Sequence, residues 1–210
     1  MLKRCPLIKI CGIRTPAIAQ FAALAGAHFI GIVFHPASRR CVSLEQAILI
    51  SAAARSHNAI PVAVFVDHTA LQMKELCEVA QIQVIQLHGR IARQQHHLLP
   101  STYQRIYVRP VAPNGSVIDD DGGLIYCDPA RDYLLFDNAE AGKGKPFNWD
   151  AFNEKNQFRI GFAGGLTPDN VVEAIEKFRP ALVDVSSGVE NASGEKDRAL
   201  IQQFIGVIHE

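Results

Sequence analysis

Hydrophobic positions along the chain follow two alternating patterns. Short, almost uninterrupted apolar runs, of which 29–34 is the clearest, alternate with longer stretches where apolar residues recur every three or four positions. The first pattern fits strands of a parallel sheet covered on both faces, the second amphipathic helices. Strands are therefore predicted at 7–11, 29–34, 62–66, 84–87, 105–108, 133–136, 158–163 and 182–185. Helices are predicted between Thr15 and Gly26, from Ser43 to 56, at 69–80, more weakly at 91–98, and at 168–178 and 198–208, with a short helical piece at 149–152. Local signals support several of these. Thr15 stands at a cap position with Pro16 in the first turn. Ile18, Phe21, Ala22, Leu24 and Ala25 form a stripe that Gly26 closes, and Ser43 with Gln46 has capping-box spacing. Thr167 is placed to cap the helix that follows it. The pattern blurs over 113–132, where 124–127 fits a strand or the end of a short helix equally well.

About eight strand–helix units in succession point to an α/β fold of the closed (β/α)8, or TIM barrel, type. Such barrels usually have ~250 residues with a lower limit near ~200, so 210 residues fit one compact domain, 1–210, with few insertions. An open doubly wound sheet normally needs fewer strands. No composition break or linker suggests a second domain.

Charge narrows the partners. With 21 basic and 21 acidic residues the chain lacks the footprint of a nucleic-acid or membrane-surface binder. Five cysteines include no CxxC pair, so neither a zinc ribbon nor a dithiol redox motif is available, and free thiols fit a reducing cytoplasm. The start, Met1-Leu2-Lys3-Arg4-Cys5-Pro6, has the charge of a signal peptide without its long apolar segment, and no run approaches bilayer length. A cytoplasmic protein is expected.

In a barrel, residues that end strands converge on one rim and carry the chemistry. Here these are Cys11, Asp67 with His68, His88, Asp137 and Asp184, with Arg40 in the second loop. Each also has a plain structural reading: Cys11 as a small buried residue, Asp67 and Asp184 as helix caps, His88 as a core histidine. The last two loops carry a stronger signal. Gly164-Gly165-Leu166-Thr167 and Ser186-Ser187-Gly188-Val189 bring main chain without side chains to the rim. The loops after the seventh and eighth strands often bind phosphate through N–H groups, so no lysine cluster is needed. Gly142-Lys143-Gly144-Lys145 fails as a P-loop, because Ala139 and Pro146 stand where that motif needs Gly and Ser or Thr. His96 and His97 are adjacent on a weak helix and do not face the same way, which argues against a metal site.

Several segments together resemble the phosphoribosylanthranilate isomerase family of tryptophan biosynthesis, along nearly the whole chain. They are Lys9-Ile-Cys-Gly-Ile-Arg14, Val64-Phe-Val-Asp67, Gln86-Leu-His-Gly89, Leu134-Leu-Phe-Asp137 with Gly142-Lys-Gly144, Gly164-Gly-Leu-Thr-Pro-Asp-Asn170 and Asp184-Val-Ser-Ser-Gly-Val-Glu190. The resemblance implies a (β/α)8 barrel that performs an Amadori rearrangement of N-(5-phosphoribosyl)anthranilate without a cofactor or metal, since the substrate's own nitrogen serves as electron sink. It implies Asp137 as general acid and Cys11 as general base. Arg40 would pair with the anthranilate carboxylate, with His88 and Asp184 near the anthranilate or ribose, and Gly164, Gly165, Ser186 and Gly188 on the phosphate. The implied partner is a phosphorylated sugar bearing an anthranilate group, with the protein a monomer or homodimer. Departures from the family pattern are Arg39 in place of the usual proline, Asn138 for Ser or Thr, Lys143 within the glycine loop, and Arg90-Ile91 where an acidic residue is commoner. Two other readings fit less well: a histidine-pathway aldose–ketose isomerase, which works with two aspartates, and a phosphosugar-binding barrel without turnover. Indole-3-glycerol phosphate synthase is disfavoured because Lys9, two places before the rim, is the first strand's only lysine.

Overall fold

A computed structural model describes residues 5–118, 122–139, 146–154 and 156–209. The glycine loop 142–144 lies outside them. Eight strands, β1 (Leu7–Cys11), β2 (Phe29–Val33), β3 (Ile60–Phe65), β4 (Val84–Leu87), β5 (Gln104–Val111), β6 (Tyr133–Asn138), β7 (Arg159–Phe162) and β8 (Leu182–Val185), pair in parallel in chain order and close into a barrel. Closure is the β1–β8 pairing, in register from Leu7 opposite Leu182 to Ile10 opposite Val185.

Among the described residues six α-helices coat it: α1 (Pro16–Ala25), α2 (Leu44–Ser56), α3 (Ala70–Ala80), α4 (Arg90–Gln95), α5 (Val171–Phe178) and α6 (Arg198–His209). Their ends follow from local chemistry. The Thr15 hydroxyl accepts from the Ile18 N–H, Pro16 occupies the first turn, and Gly26 ends α1 in the left-handed conformation (φ 115°). Both Ser43–Gln46 and Thr69–Gln72 form complete capping boxes. The helical layer thins between β5 and β7. Residues Gly123–Tyr126 are a 3-10 helix, and 149–151 form turns rather than the helical piece expected at 149–152. Polar, Gly- and Pro-rich sequence there offers no continuous apolar stripe to hold a helix on the barrel. Helix α5 also starts later than expected. Asn170 rather than Thr167 precedes it, because the Asn170 side chain is engaged with the Thr167 N–H and the Gly165 carbonyl, folding 167–170 into a turn.

Alternation sorts the strand residues into two layers. Outward residues such as Ile8, Ile10, Ile30 and Ile32 join helix residues in the main core. Inward residues, among them Phe29, Val62, Val84, Ile106, Tyr133 and Leu182, fill the barrel's lower half. Toward the C-terminal end the interior turns polar: Lys9, Gln86 and Asp184 are buried there. Among the described residues no helix is long and apolar enough to cross a membrane.

Candidate active site

Parity along the strands determines what reaches the rim. Two residues per step, β1 presents Lys9 then Cys11, β4 Gln86 followed by His88, β6 Leu135 then Asp137, and β8 Asp184 followed by Ser186. The upper members of these pairs, with Gln86 and Asp184, line one cavity of about 270 Å³ at the C-terminal end of the barrel. That is close to the lower end of ligand clefts (~300–1,000 Å³). Val33, Val64 and Val66 form its apolar wall, while His35, Ser38 and Arg40 come from the loop after β2.

Eight of the nine residues singled out in the sequence meet on this wall: Cys11, Asp137, Arg40, His88, Asp184, Gly164, Gly165 and Ser186. Gly188 does not line it. A β-carbon there would come within 1.9 Å of the Leu166 carbonyl oxygen, so this glycine lets the eighth loop pack on the seventh. Gly164 (φ 81°) does something similar beside the chemistry: a methyl on it would sit 2.8 Å from Asp137 Oδ1 and 2.6 Å from the Asn138 nitrogen. Asp67 and His68 stand apart from the cavity wall; Asp67 is more than half exposed, 3.6 Å from His35 Nδ1.

The electrostatics separate the two proton-transfer candidates. Burial raises the Asp137 carboxyl to about 7, reinforced by the Asp184 charge and opposed by Lys9 and the Asn138 N–H. Burial likewise raises the Cys11 thiol, Asp184 adding to the effect while Lys9 and Lys196 oppose it. His88 is lowered to about 4, first by burial and then by the Lys9, Arg93 and His35 charges. At neutral pH it is an uncharged imidazole. Its Nδ1 lies 3.8 Å from Asp137 Oδ2, too far for a hydrogen bond.

Three residues essential to this arrangement had no role assigned from the sequence. Lys9 is fully buried and donates to Asp184 Oδ2 at 2.8 Å. Gln86 is buried with its Oε1 unpartnered, as is Asp184 Oδ1; both residues face the cavity as acceptors. Glu190, 3% exposed in its side chain, gathers Arg39, Arg40 and Lys196. Inward parity two residues below a rim group was the available signal for Lys9 and Gln86. Glu190 offered none, since Arg39 and Arg40, two of its three partners, lie on a distant loop.

A closed parallel barrel whose C-terminal rim gathers a thiol, a buried carboxyl and two glycine turns defines the chain as a (β/α)8-barrel enzyme. Residues 8–207 match the model of one family of them, described as N-(5'phosphoribosyl)anthranilate (PRA) isomerase, and the chain belongs to that family. An N-(5'-phosphoribosyl)anthranilate isomerase of Chlamydia felis is 37% identical over 199 residues, covering 94% of each chain. The crystal structure of phosphoribosyl anthranilate isomerase from Thermus thermophilus superposes with a TM-score of 0.80 at 28% identity, over 97% of this chain and 98% of that one. Another isomerase structure, in complex with reduced 1-(o-carboxyphenylamino)-1-deoxyribulose 5-phosphate, has a TM-score of 0.73 at 29% identity, with the same coverage.

Proposed function

We propose that this chain isomerises N-(5'-phosphoribosyl)anthranilate to 1-(2-carboxyphenylamino)-1-deoxyribulose 5-phosphate by acid–base catalysis, with Asp137 as acid and Cys11 as base. The observation that carries the reading is that these two groups enter one cavity from strands with β7 and β8 between them, so a bound sugar can lie between acid and base. The reduced product analogue held by the related structure supports the same substrate.

The chemistry follows from the placement. Asp137 gives its proton to the furanose ring oxygen as the C1–O bond breaks, and the anthranilate nitrogen supplies the electron pair that makes the C1=N iminium. That cation acidifies the C2 proton, which Cys11 removes as thiolate. The electron pair left on C2 forms the C1–C2 double bond and neutralises the iminium, giving an enolamine that tautomerises to the ketone. A carboxyl kept protonated near neutrality suits the first step, and each proton transfer contributes roughly 10²–10⁴-fold. Arg40, held by Glu190 through Nε and Nη2, offers its other guanidinium edge to the anthranilate carboxylate. Asp184 and Gln86 offer unpartnered acceptors to sugar hydroxyls, and neutral His88 lies alongside. The main chain at Gly164 and Gly165, with Ser186, surrounds the phosphate. Five free thiols support the cytoplasm as the compartment.

Loss of the fluorescence of phosphoribosylanthranilate on adding purified protein tests this. Turnover that collapses in Cys11→Ser and Asp137→Asn, with the reduced product analogue still bound, is the expected result. Binding without turnover by the unaltered protein would make it a ligand-binding barrel instead.

A further inference from the structure

Lys9 is a fully buried cation, with no side-chain exposure. An ammonium in such a place is costly to desolvate unless its surroundings return the loss. One partner is Asp184, at 2.8 Å. A single carboxylate leaves other N–H donors of the ammonium to be satisfied. Gly31 of β2 shows where the lysine reaches. A β-carbon on Gly31 would lie 3.1 Å from Lys9 Nζ and 2.7 Å from Cys11 Sγ, so both atoms crowd the same gap left by the missing side chain. Residue 31 is directly opposite Cys11 in the β1–β2 register, and any larger residue would separate sulfur from nitrogen.

We propose that the Lys9 ammonium is the fixed counter-ion of the Cys11 thiolate, kept charged under the cavity floor by Asp184. The proposal rests on Cys11 being the base. Lys9 is absent from the cavity wall, so it is a positioning residue: it acts through the sulfur and touches no substrate. The other charged or titratable groups that bear on this pair are Asp184 from β8, Asp137 from β6, His88 after β4, and Arg40 and Lys196 from the flanking loops. Of these, Lys9 is the cation with the strongest hold on the thiolate, and burial is what it opposes. Lys9 in turn is pulled down by burial but held up more strongly by Asp184 and Cys11, so it stays an ammonium.

Lys9→Met is close in length and removes the charge. The expected result is that iodoacetamide alkylation of Cys11, followed by mass spectrometry of its peptide, slows by about tenfold or more at fixed pH, one pKa unit being a factor of ten. The alkaline limb of kcat/KM moves upward, and kcat falls with KM little changed. A merely structural lysine would lower the amount of folded protein without moving that limb. Should Lys9→Met not fold, the unaltered protein still decides. With lysine side chains labelled with ¹³C, the Lys9 Cε resonance follows the Cys11 titration, and the step disappears in Cys11→Ser. Unchanged alkylation in Lys9→Met, or a Lys9 resonance indifferent to Cys11, overturns the proposal. Parent-like turnover in Cys11→Ser instead overturns the role of Cys11 as base, and that outcome is read separately from the thiol titration.

Discussion

Arg40 and Glu190 form a two-toothed ion pair, Nε to Oε1 at 2.6 Å and Nη2 to Oε2 at 2.9 Å. It spans the loops after β2 and β8 and so passes over the end of β1, where Cys11 lies. Burial works against the Glu190 charge, but hydrogen bonds from Arg40 and Lys196 outweigh it and hold the carboxyl below its ordinary range. Arg40 is thereby fixed before any substrate arrives, its fork set at the cavity edge rather than swinging on a flexible stem.

Glu190→Gln keeps the shape of this junction and removes its charge. Arg40 and Lys196, 13% and 5% exposed, are then left as buried cations around a neutral amide. Breaking a buried pair from one side costs about 3–5 kcal/mol. A loss of that order is expected in urea unfolding, together with a raised KM, since the Arg40 fork is no longer aimed; kcat should change less. A variant with parent stability and parent KM would show that the junction holds nothing in place.

Asp137 and His88 should impose opposite pH slopes on stability. The folded pKa of Asp137, about 7, is above its unfolded value, so between about 4 and 7 the folded state holds a proton that the unfolded state has lost. Stability therefore falls as pH rises through that window, by up to about 4 kcal/mol at ~1.36 kcal/mol per unit. His88, at about 4 when folded, has the reverse effect. Below its ordinary 6.5 the unfolded state binds a proton that the folded state refuses, so stability is lost as pH drops toward 4. Together they flatten the profile of the parent. Asp137→Asn should unmask the histidine: a stability that climbs from pH 4 to 7 and exceeds the parent's at pH 8, with no gain at pH 4. Denaturant midpoints across this range are the check, and an Asp137→Asn profile parallel to the parent's would refute the raised carboxyl.

The same two shifts determine the rate profile. With Asp137 near 7 and the Cys11 thiol above its ordinary range, the productive form holds its proton on the more acidic group and has lost it from the less acidic one. Only a minority of molecules is in that form, at a constant fraction between the two limbs. The expected kcat/KM rises through about 7, is level above it, and falls where the thiol titrates. The rising limb then belongs to the acid, against the usual assignment. Residual activity in Asp137→Asn should lack the limb near 7. Persistence of that limb in the variant would move the assignment to another group.

Much of this was legible in the chain before any coordinates. Eight apolar runs correspond to eight strands because a strand covered on both faces has no alternative pattern, and the capping chemistry at Thr15 and Ser43 located two helix starts to the residue. Misreadings came where local rules competed. Thr167 has the composition of a cap, but the Asn170 amide claims the turn; 149–152 has aromatic residues that pack on Phe162 and Phe178 without becoming helical. At the site, the residues that end strands could be found by position alone. Parity marks Lys9 as inward-facing, but its role, like that of Glu190, depends on a partner at the other end of the chain, Asp184 for the one and Arg40 for the other.

That dependence bears on how the molecule is made. Lys9 meets a residue 175 positions later, and Arg40 one 150 positions later. Emerging from the ribosome, the first strand carries an ordinary cysteine with an ordinary lysine nearby. Neither acquires its partners until the eighth strand docks against the first. Shortened products of interrupted translation would thus keep an ordinary thiol at Cys11, and its displacement above the ordinary range would itself report that the ring of strands has been completed.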